Sequence, residues 1–474
     1  MEDYKQIVII GGGITGLSTA YYLQKQIQAH KLPYTVRLVE ASYRLGGMIH
    51  TEQKNGFTIE RGPDSLLARK ESVFRLIQDV GLEEELVSVS TGKSYVHARE
   101  KLHEIPHGSY MGIPTQVSPF LFSSLFSPAG KLKAAGDFMK KKSTSKDDQS
   151  LGEFFRYRLG DEVVENLIEP LLSGIYSGDI DNLSLMATFP NFYRLEQEHG
   201  SIVKGLKKTV PKRKKSDKKP SVFKTLRSGL SSLVHAVEEQ LEDGTVRLNT
   251  AVDHIEKKDD GYHLLLDNGE VLKADSLVVT TPHYRAQRML SQYDFLNPLR
   301  DMPATSVANV ALAFDQSAIE KDIDGSGFLV SRNSDYRITA CTWTHKKWPH
   351  TTPEGKALMR AYVGKPDDQD VVSKTDEEIV DIVWNDLNKI MKLNHKPEFS
   401  VVTRWRNSRA QYTVGHKERM EHITHHLREQ LPGVFLAGAS YNGLGVPDCI
   451  DQGETAVEQV LEYLQHAEPH IAVN

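Results

Sequence analysis

The run Ile7-Val8-Ile9-Ile10-Gly11-Gly12-Gly13-Ile14-Thr15-Gly16 decides the fold. Four β-branched apolar residues in a row read as a strand buried on both faces. Glycines follow at once, and Leu17, Ala20, Leu23 and Ile27 then recur at helical spacing, so the order is strand, tight turn, helix. In such a turn Gly11 permits the bend, Gly13 lets a pyrophosphate approach the backbone, and Gly16 lets the helix pack close. Gly12, Ile14 and Thr15 complete the loop, and the helix N-terminus draws negative charge. A second strand, Val36-Arg37-Leu38-Val39, ends in Glu40, 24 residues after Gly16, where an acid accepts hydrogen bonds from a ribose. A glycine turn with no ligand is the bland alternative, and strand, helix and acid together weigh against it. The fold class is α/β, with a Rossmann-like nucleotide domain.

The next residues separate FAD from NAD. Glu40-Ala41-Ser42-Tyr43-Arg44-Leu45-Gly46-Gly47 puts a second glycine pair directly after the acid, and Gly62-Pro63-Asp64-Ser65 follows, an arrangement that looks like FAD flavoproteins. The two other G-x-G sequences, at Gly325 and Gly443, neither continue to a third glycine nor open a helix, so no NAD(P)H site is expected.

Working outward, the 474 residues suit two to four domains, and 58 basic against 63 acidic residues give a net charge of −5. That balance excludes a dedicated nucleic-acid binder, and the ordinary 39% hydrophobic content excludes a disordered or fibrous chain. Cys341 and Cys449, 108 positions apart, match neither a zinc spacing nor a disulfide framework, which fits a reducing cytoplasm. The acidic, polar start and the lack of any run of about 18 apolar residues argue against export and against a membrane span. His416, His422, His425 and His426 offer no third ligand type, so no metal site is expected.

With these residues in view, the chain resembles the FAD-dependent protoporphyrinogen/coproporphyrinogen oxidases of haem synthesis, within the amine-oxidase flavoprotein superfamily. The resemblance runs over nearly the whole chain. It is carried by Glu60-Arg61-Gly62-Pro63-Asp64-Ser65, by Asp148 to Phe155, by Leu171-Leu172-Ser173-Gly174-Ile175-Tyr176-Ser177-Gly178-Asp179, by Ser306 to Leu312 and by Gly443-Leu444-Gly445-Val446-Pro447-Asp448-Cys449-Ile450. It is most similar to the soluble type of Gram-positive bacteria, which implies oxidation of coproporphyrinogen III. The implied chemistry removes six electrons in three two-electron rounds of hydride transfer to noncovalent FAD, each closed by oxygen with release of hydrogen peroxide. The flavin and oxygen carry that chemistry, so no catalytic side chain is nominated. Alternatives are oxidation of protoporphyrinogen IX, a related amine oxidase or carotenoid desaturase, and a porphyrin carrier without catalysis.

The resemblance implies a discontinuous FAD domain of 1–90, 222–300 and 405–474, a mainly helical insert at 91–221 and an α+β substrate domain at 301–404. Strands expected at Val246 to Val252 and Ala274 to Thr280, with a hairpin between, and at Gly433 to Gly438 would complete the FAD domain. The implied cofactor contacts are the Gly11–Gly16 loop, Glu40, Ala41, Arg44, Gly46, Gly47, Gly62, Pro63, Asp64, Ser65, Val252 at the adenine, Trp405 beside the flavin, and Val446, Pro447 and Asp448. Lys70 is expected to meet a substrate propionate, and Ile175 the macrocycle. Phe120, Leu121, Phe122, Leu125 and Phe126 read as a buried helix of the insert, with peripheral membrane contact as the alternative, given Lys131, Lys133 and Lys140 to Lys142 downstream. Nine basic residues against one acid between Lys204 and Lys219 read as an exposed loop that either attracts propionates, anionic lipid or a partner such as a ferrochelatase, or is simply solvated.

Overall fold

The computed structural model describes residues 4–143, 147–209 and 223–467. Its centre is a five-stranded parallel sheet in the order Val246–Arg247, Tyr34–Val39, Lys5–Ile10, Ser276–Val279, Val434–Leu436. Alternate residues of each strand serve opposite faces, and both faces are covered. Ile7, Ile9, Val36, Leu38 and Val278 pack with the helices Ile14–His30 and Val446–Ala467. Val8, Ile10, Val39, Leu277 and Val279 pack with an antiparallel meander and the helix His416–Gln430. The first helix lies closer to its strand than any side chain would permit, since a Cβ on Gly16 would stand 1.9 Å from the Gly11 carbonyl oxygen.

The expected strand from Val246 to Val252 is two elements. Asn249 adopts a left-handed φ of 49°, which breaks the extended run after the short Val246–Arg247 strand. The chain restarts as the meander Val252–Lys258, Gly261–Leu266, Val271–Ala274, turned by Gly269 at φ 83°.

A seven-stranded sheet stands beside the nucleotide sheet, in the order Phe399–Ala410, Ala304–Asp315, Lys356–Val363, Ile338–Trp343, Gly327–Val330, Tyr95–Ala98, Lys101–Glu104. All its pairings are antiparallel except that of Gly327–Val330 with Tyr95–Ala98. This sheet crosses the expected partition in two places. The hairpin at 95–104 belongs to it rather than to a helical insert, and the boundary at 404/405 falls inside the strand Phe399–Ala410.

Helices dominate from 117 to 209. Their core holds Phe154, Phe155, Leu159 and Val164, together with a fully buried ion triad in which Arg158 Nε lies 2.6 Å from Asp137 and Nη1 lies 3.3 Å from Glu196. The apolar run expected as a buried helix divides, with Phe120, Leu125 and Phe126 inside while Phe122 is 87% exposed and Leu121 half exposed. From residue 210 the basic stretch lies outside the described residues. Among the described residues no helix is long and apolar enough to cross a membrane.

Candidate functional site

The glycine loop forms an open cradle at the end of the central strand. Gly11 turns at φ 109°, and the helix Ile14–His30 starts at Gly13 with no side chain capping its first amides. A Cβ on Gly13 would meet nothing within 4 Å, so the space over those amides is clear. Glu40 is held beside it: one carboxylate oxygen accepts from Gly12 N at 2.6 Å, the other from Ser42 N at 2.8 Å. The second glycine pair docks on the first, with Gly46 N donating to Gly12 O at 2.8 Å. Arg44, whose pKa burial lowers, ties that loop together by donating to the carbonyls of Leu45, Gly47 and Ile49. Thr250 N donates to Glu40 O at 2.9 Å, which sets Ala251 and Val252 beside the acid. Ala41 follows Glu40 directly.

A second set of residues faces the cradle from the seven-stranded sheet. Thr403 pairs with Asn309 and Asn309 with Tyr362; Trp405 pairs with Val307, and Arg409 with Thr305. Cross-strand partners share a face, and so do residues two apart along a regular strand, so Arg360, Tyr362, Asn309, Thr403 and Trp405 look out from one side, while Arg409 lies beyond an irregularity in the ladder at Asn407, which takes φ 46°. That side holds the 60–65 loop. Arg61 O accepts from Trp405 Nε1 at 2.8 Å and from Asn309 Nδ2 at 3.3 Å, while Arg61 Nε donates to Thr403 Oγ1 at 2.9 Å. Gly62 O accepts from Arg360 Nη2 at 2.7 Å, and a Cβ on Gly62 would strike Met48 O at 1.8 Å, so only glycine fits there. Trp405 also lies against Gly62.

The third wall is the C-terminal segment. Gln452 accepts from Gly438 N at 2.9 Å and donates to Asn442 O at 2.6 Å. Tyr412 OH donates to Ala439 O and accepts from Gly443 N, both at 2.8 Å. Gly445 N donates to Asp448 Oδ2 at 3.2 Å, which steadies the start of the helix Val446–Ala467 and aims its first turn at the loop Gly438–Gly445.

Several expected site residues have carboxylates or ammonium groups already engaged. Asp64 lies 3.0 Å from Lys347 Nζ and 3.1 Å from Arg360 Nη1, and it accepts from Ser65 Oγ at 2.6 Å. Although burial opposes ionisation, these two cations hold its carboxyl far below the usual range. Asp64 and Ser65 therefore anchor the loop, and Gly62 is packed between Met48 and Trp405. Lys70 Nζ lies 2.7 Å from Asp448 and 3.7 Å from Asp451, a half-exposed clamp between two segments rather than an unpaired cation. Ile175 is 43% exposed at the end of the helix Glu169–Tyr176, next to Tyr176, whose ring meets Tyr412 at 5.5 Å. Val446 and Pro447 open the C-terminal helix. Of the four histidines, His416 is buried with its ring stacked 4.1 Å from Tyr412.

Sequence reasoning missed Arg61, Lys347, Arg360, Arg409 and Gln452. Arg360 carried a legible signal, a lone charge inside Ala357-Leu358-Met359-Arg360-Ala361-Tyr362-Val363, since a strand interior admits an arginine only where something answers it.

The arrangement fits an extended dinucleotide with a ring system at one end. The uncapped helix start and clear space at Gly13 suit a pyrophosphate, and Glu40 suits a ribose. Two shielded polar atoms lack partners, Thr281 Oγ1 beside Gly11 and Asn309 Oδ1 on the seven-stranded sheet.

Comparison with known proteins agrees. Residues 14–461 match the flavin containing amine oxidoreductase family. The chain is 53% identical to the coproporphyrinogen III oxidase of Bacillus subtilis, over 98% of this chain and 99% of that one. It is 46% identical to the coproporphyrinogen III oxidase of Staphylococcus aureus, over 97% and 100%. A crystal structure from Exiguobacterium sp. 255-15, described as a provisional protoporphyrinogen oxidase, superposes with a TM-score of 0.86 at 38% identity, covering 97% of this chain and 99% of that one.

Proposed function

The chain belongs to the flavin-containing amine oxidoreductase family, and from that premise we propose that it oxidises coproporphyrinogen III to coproporphyrin III in haem biosynthesis. The end-to-end identity of 53% with the Bacillus subtilis enzyme carries the reading, because the match includes all three walls of the cradle. Bound there, FAD supplies two-electron oxidation, repeated three times and closed each time by molecular oxygen.

The protein's own part is binding and placement. Glu40 takes the ribose, the amides after Gly13 take the pyrophosphate, and Val252 offers backbone to the adenine. Trp405, Gly62 and the first turn of the C-terminal helix would hold the ring system. The Cys449 thiol is buried, with its pKa pushed up to about 11, and so stays protonated, which favours noncovalent cofactor. Ile175 offers an apolar surface to the macrocycle. Exposed Phe122, Leu121 and Leu132, next to Lys131 and Lys133, form an apolar tip with a basic rim suited to an anionic membrane surface.

Anaerobic mixing of FAD-loaded protein with coproporphyrinogen III tests the reading directly. Bleaching of the flavin absorbance is expected before oxygen is admitted and porphyrin fluorescence only after it, since one flavin takes two of the six electrons, and amine substrates should leave the flavin oxidised. Bleaching by an amine but not by porphyrinogen would overturn it.

A further inference from the structure

Among the described residues Arg158 and Arg360 are fully buried, and both have anions of their own: Arg158 has Asp137 and Glu196, and Arg360 has Asp64; Arg409 is partly buried, with its Nε shielded. Arg409 has no such anion. Among the described residues no carboxylate lies within ion-pair distance of it, and its Nε is buried without a hydrogen-bond partner. The ionisable groups acting on it are the Tyr362 hydroxyl and the Cys449 thiol, and burial keeps both neutral by raising their pKa values. An unanswered guanidinium in such a place is unfavourable unless an anion arrives with a ligand.

The position indicates which ligand. Arg409 pairs with Thr305 beyond the irregularity at Asn407, and its ionisable neighbours are Tyr362 of the same sheet and Cys449 at the start of the C-terminal helix, so it stands where the sheet and that helix approach each other. The phosphates of a dinucleotide already have the helix start at Gly13 on the other sheet. Lys70, the cation sequence reasoning favoured for a propionate, is engaged by Asp448 and Asp451.

We propose that Arg409 is the carboxylate anchor of the substrate cleft, receiving a propionate arm of the tetrapyrrole through its guanidinium. This rests on the porphyrinogen reading above. A guanidinium presents a planar set of donors that matches a carboxylate, whereas a lysine would supply a point charge.

The test measures binding without turnover. Wild type and the variants Arg409→Gln and Arg409→Lys, all FAD-loaded, are titrated with coproporphyrin III and separately with its uncharged tetramethyl ester, reading porphyrin fluorescence. Arg409→Gln should bind the free acid tenfold or more weakly and the ester as wild type does, with FAD content unchanged. Arg409→Lys should recover part of the loss. In turnover, KM for coproporphyrinogen III should rise while kcat stays within about twofold. Equal weakening of acid and ester would show a packing role, and loss of FAD would show a flavin contact; either overturns the proposal, as does unchanged affinity for the acid. If wild type itself fails to bind or oxidise the tetrapyrrole, the porphyrinogen reading has failed instead.

Discussion

Arg158 is fully buried and Arg409 has a buried Nε, and their surroundings are opposite. In the helical region Arg158 is fully buried with every charge around it answered: Asp137 also accepts from Ser201 Oγ and Val203 N, and Glu196 from Ser143. At the sheet, Arg409 has only a neutral phenol and a neutral thiol as ionisable neighbours. The first network is complete within the chain and holds helices together. The second becomes complete only when something binds. Where a buried charge finds its partner separates scaffold from site more clearly than burial alone does.

The comparison can be broken or sharpened by four changes. Arg158→Met strands two buried carboxylates and should lower unfolding free energy by about 3–5 kcal/mol in denaturant titrations. Asp64→Asn leaves Arg360 with Glu60 as its nearby acid; a loss of about 2–4 kcal/mol is expected, with lower FAD occupancy because the Gly62 loop loses its anchor. Glu60 settles its charge in a third way, by holding a proton. Burial raises its pKa from 4.5 to about 7, even though Leu230 N and Thr51 Oγ1 donate to it. The folded state therefore binds that proton more tightly than the unfolded chain does. Its contribution is full below pH 4.5 and is lost as pH rises through 7, a change of up to about 3 kcal/mol that Glu60→Gln should abolish in pH-dependent denaturation midpoints. The smallest effect is expected from Arg409→Met, whose stability should stay within about 1 kcal/mol of wild type, since no buried anion is left behind. A large loss there would mean that Arg409 belongs with Arg158.

The nucleotide half of the site was legible because its signals are local. The glycine loop, Glu40 and the second glycine pair lie within 37 residues, Gly11 to Gly47, and each residue type answers a backbone or charge requirement set nearby. The side-chain commitments were not legible. Asp64 meets Lys347 across 283 positions, and Lys70 meets Asp448 at the far end of the chain, pairings that leave no periodic trace in sequence. The hairpin at 95–104 escaped for another reason. Its turn residues, Arg99 and Glu100, take left-handed φ values of 50° and 58° where glycine or asparagine normally marks such a turn. The break at Asn249 hid a junction between two sheets inside what reads as one strand.

The most direct test of the central claim is kcat/KM in air for coproporphyrinogen III against protoporphyrinogen IX, read by porphyrin fluorescence after subtracting autoxidation. A preference of tenfold or more for coproporphyrinogen III is predicted, about 1.4 kcal/mol of transition-state discrimination. The opposite preference would make protoporphyrinogen IX the substrate, and no rate above autoxidation on either would contradict the account altogether.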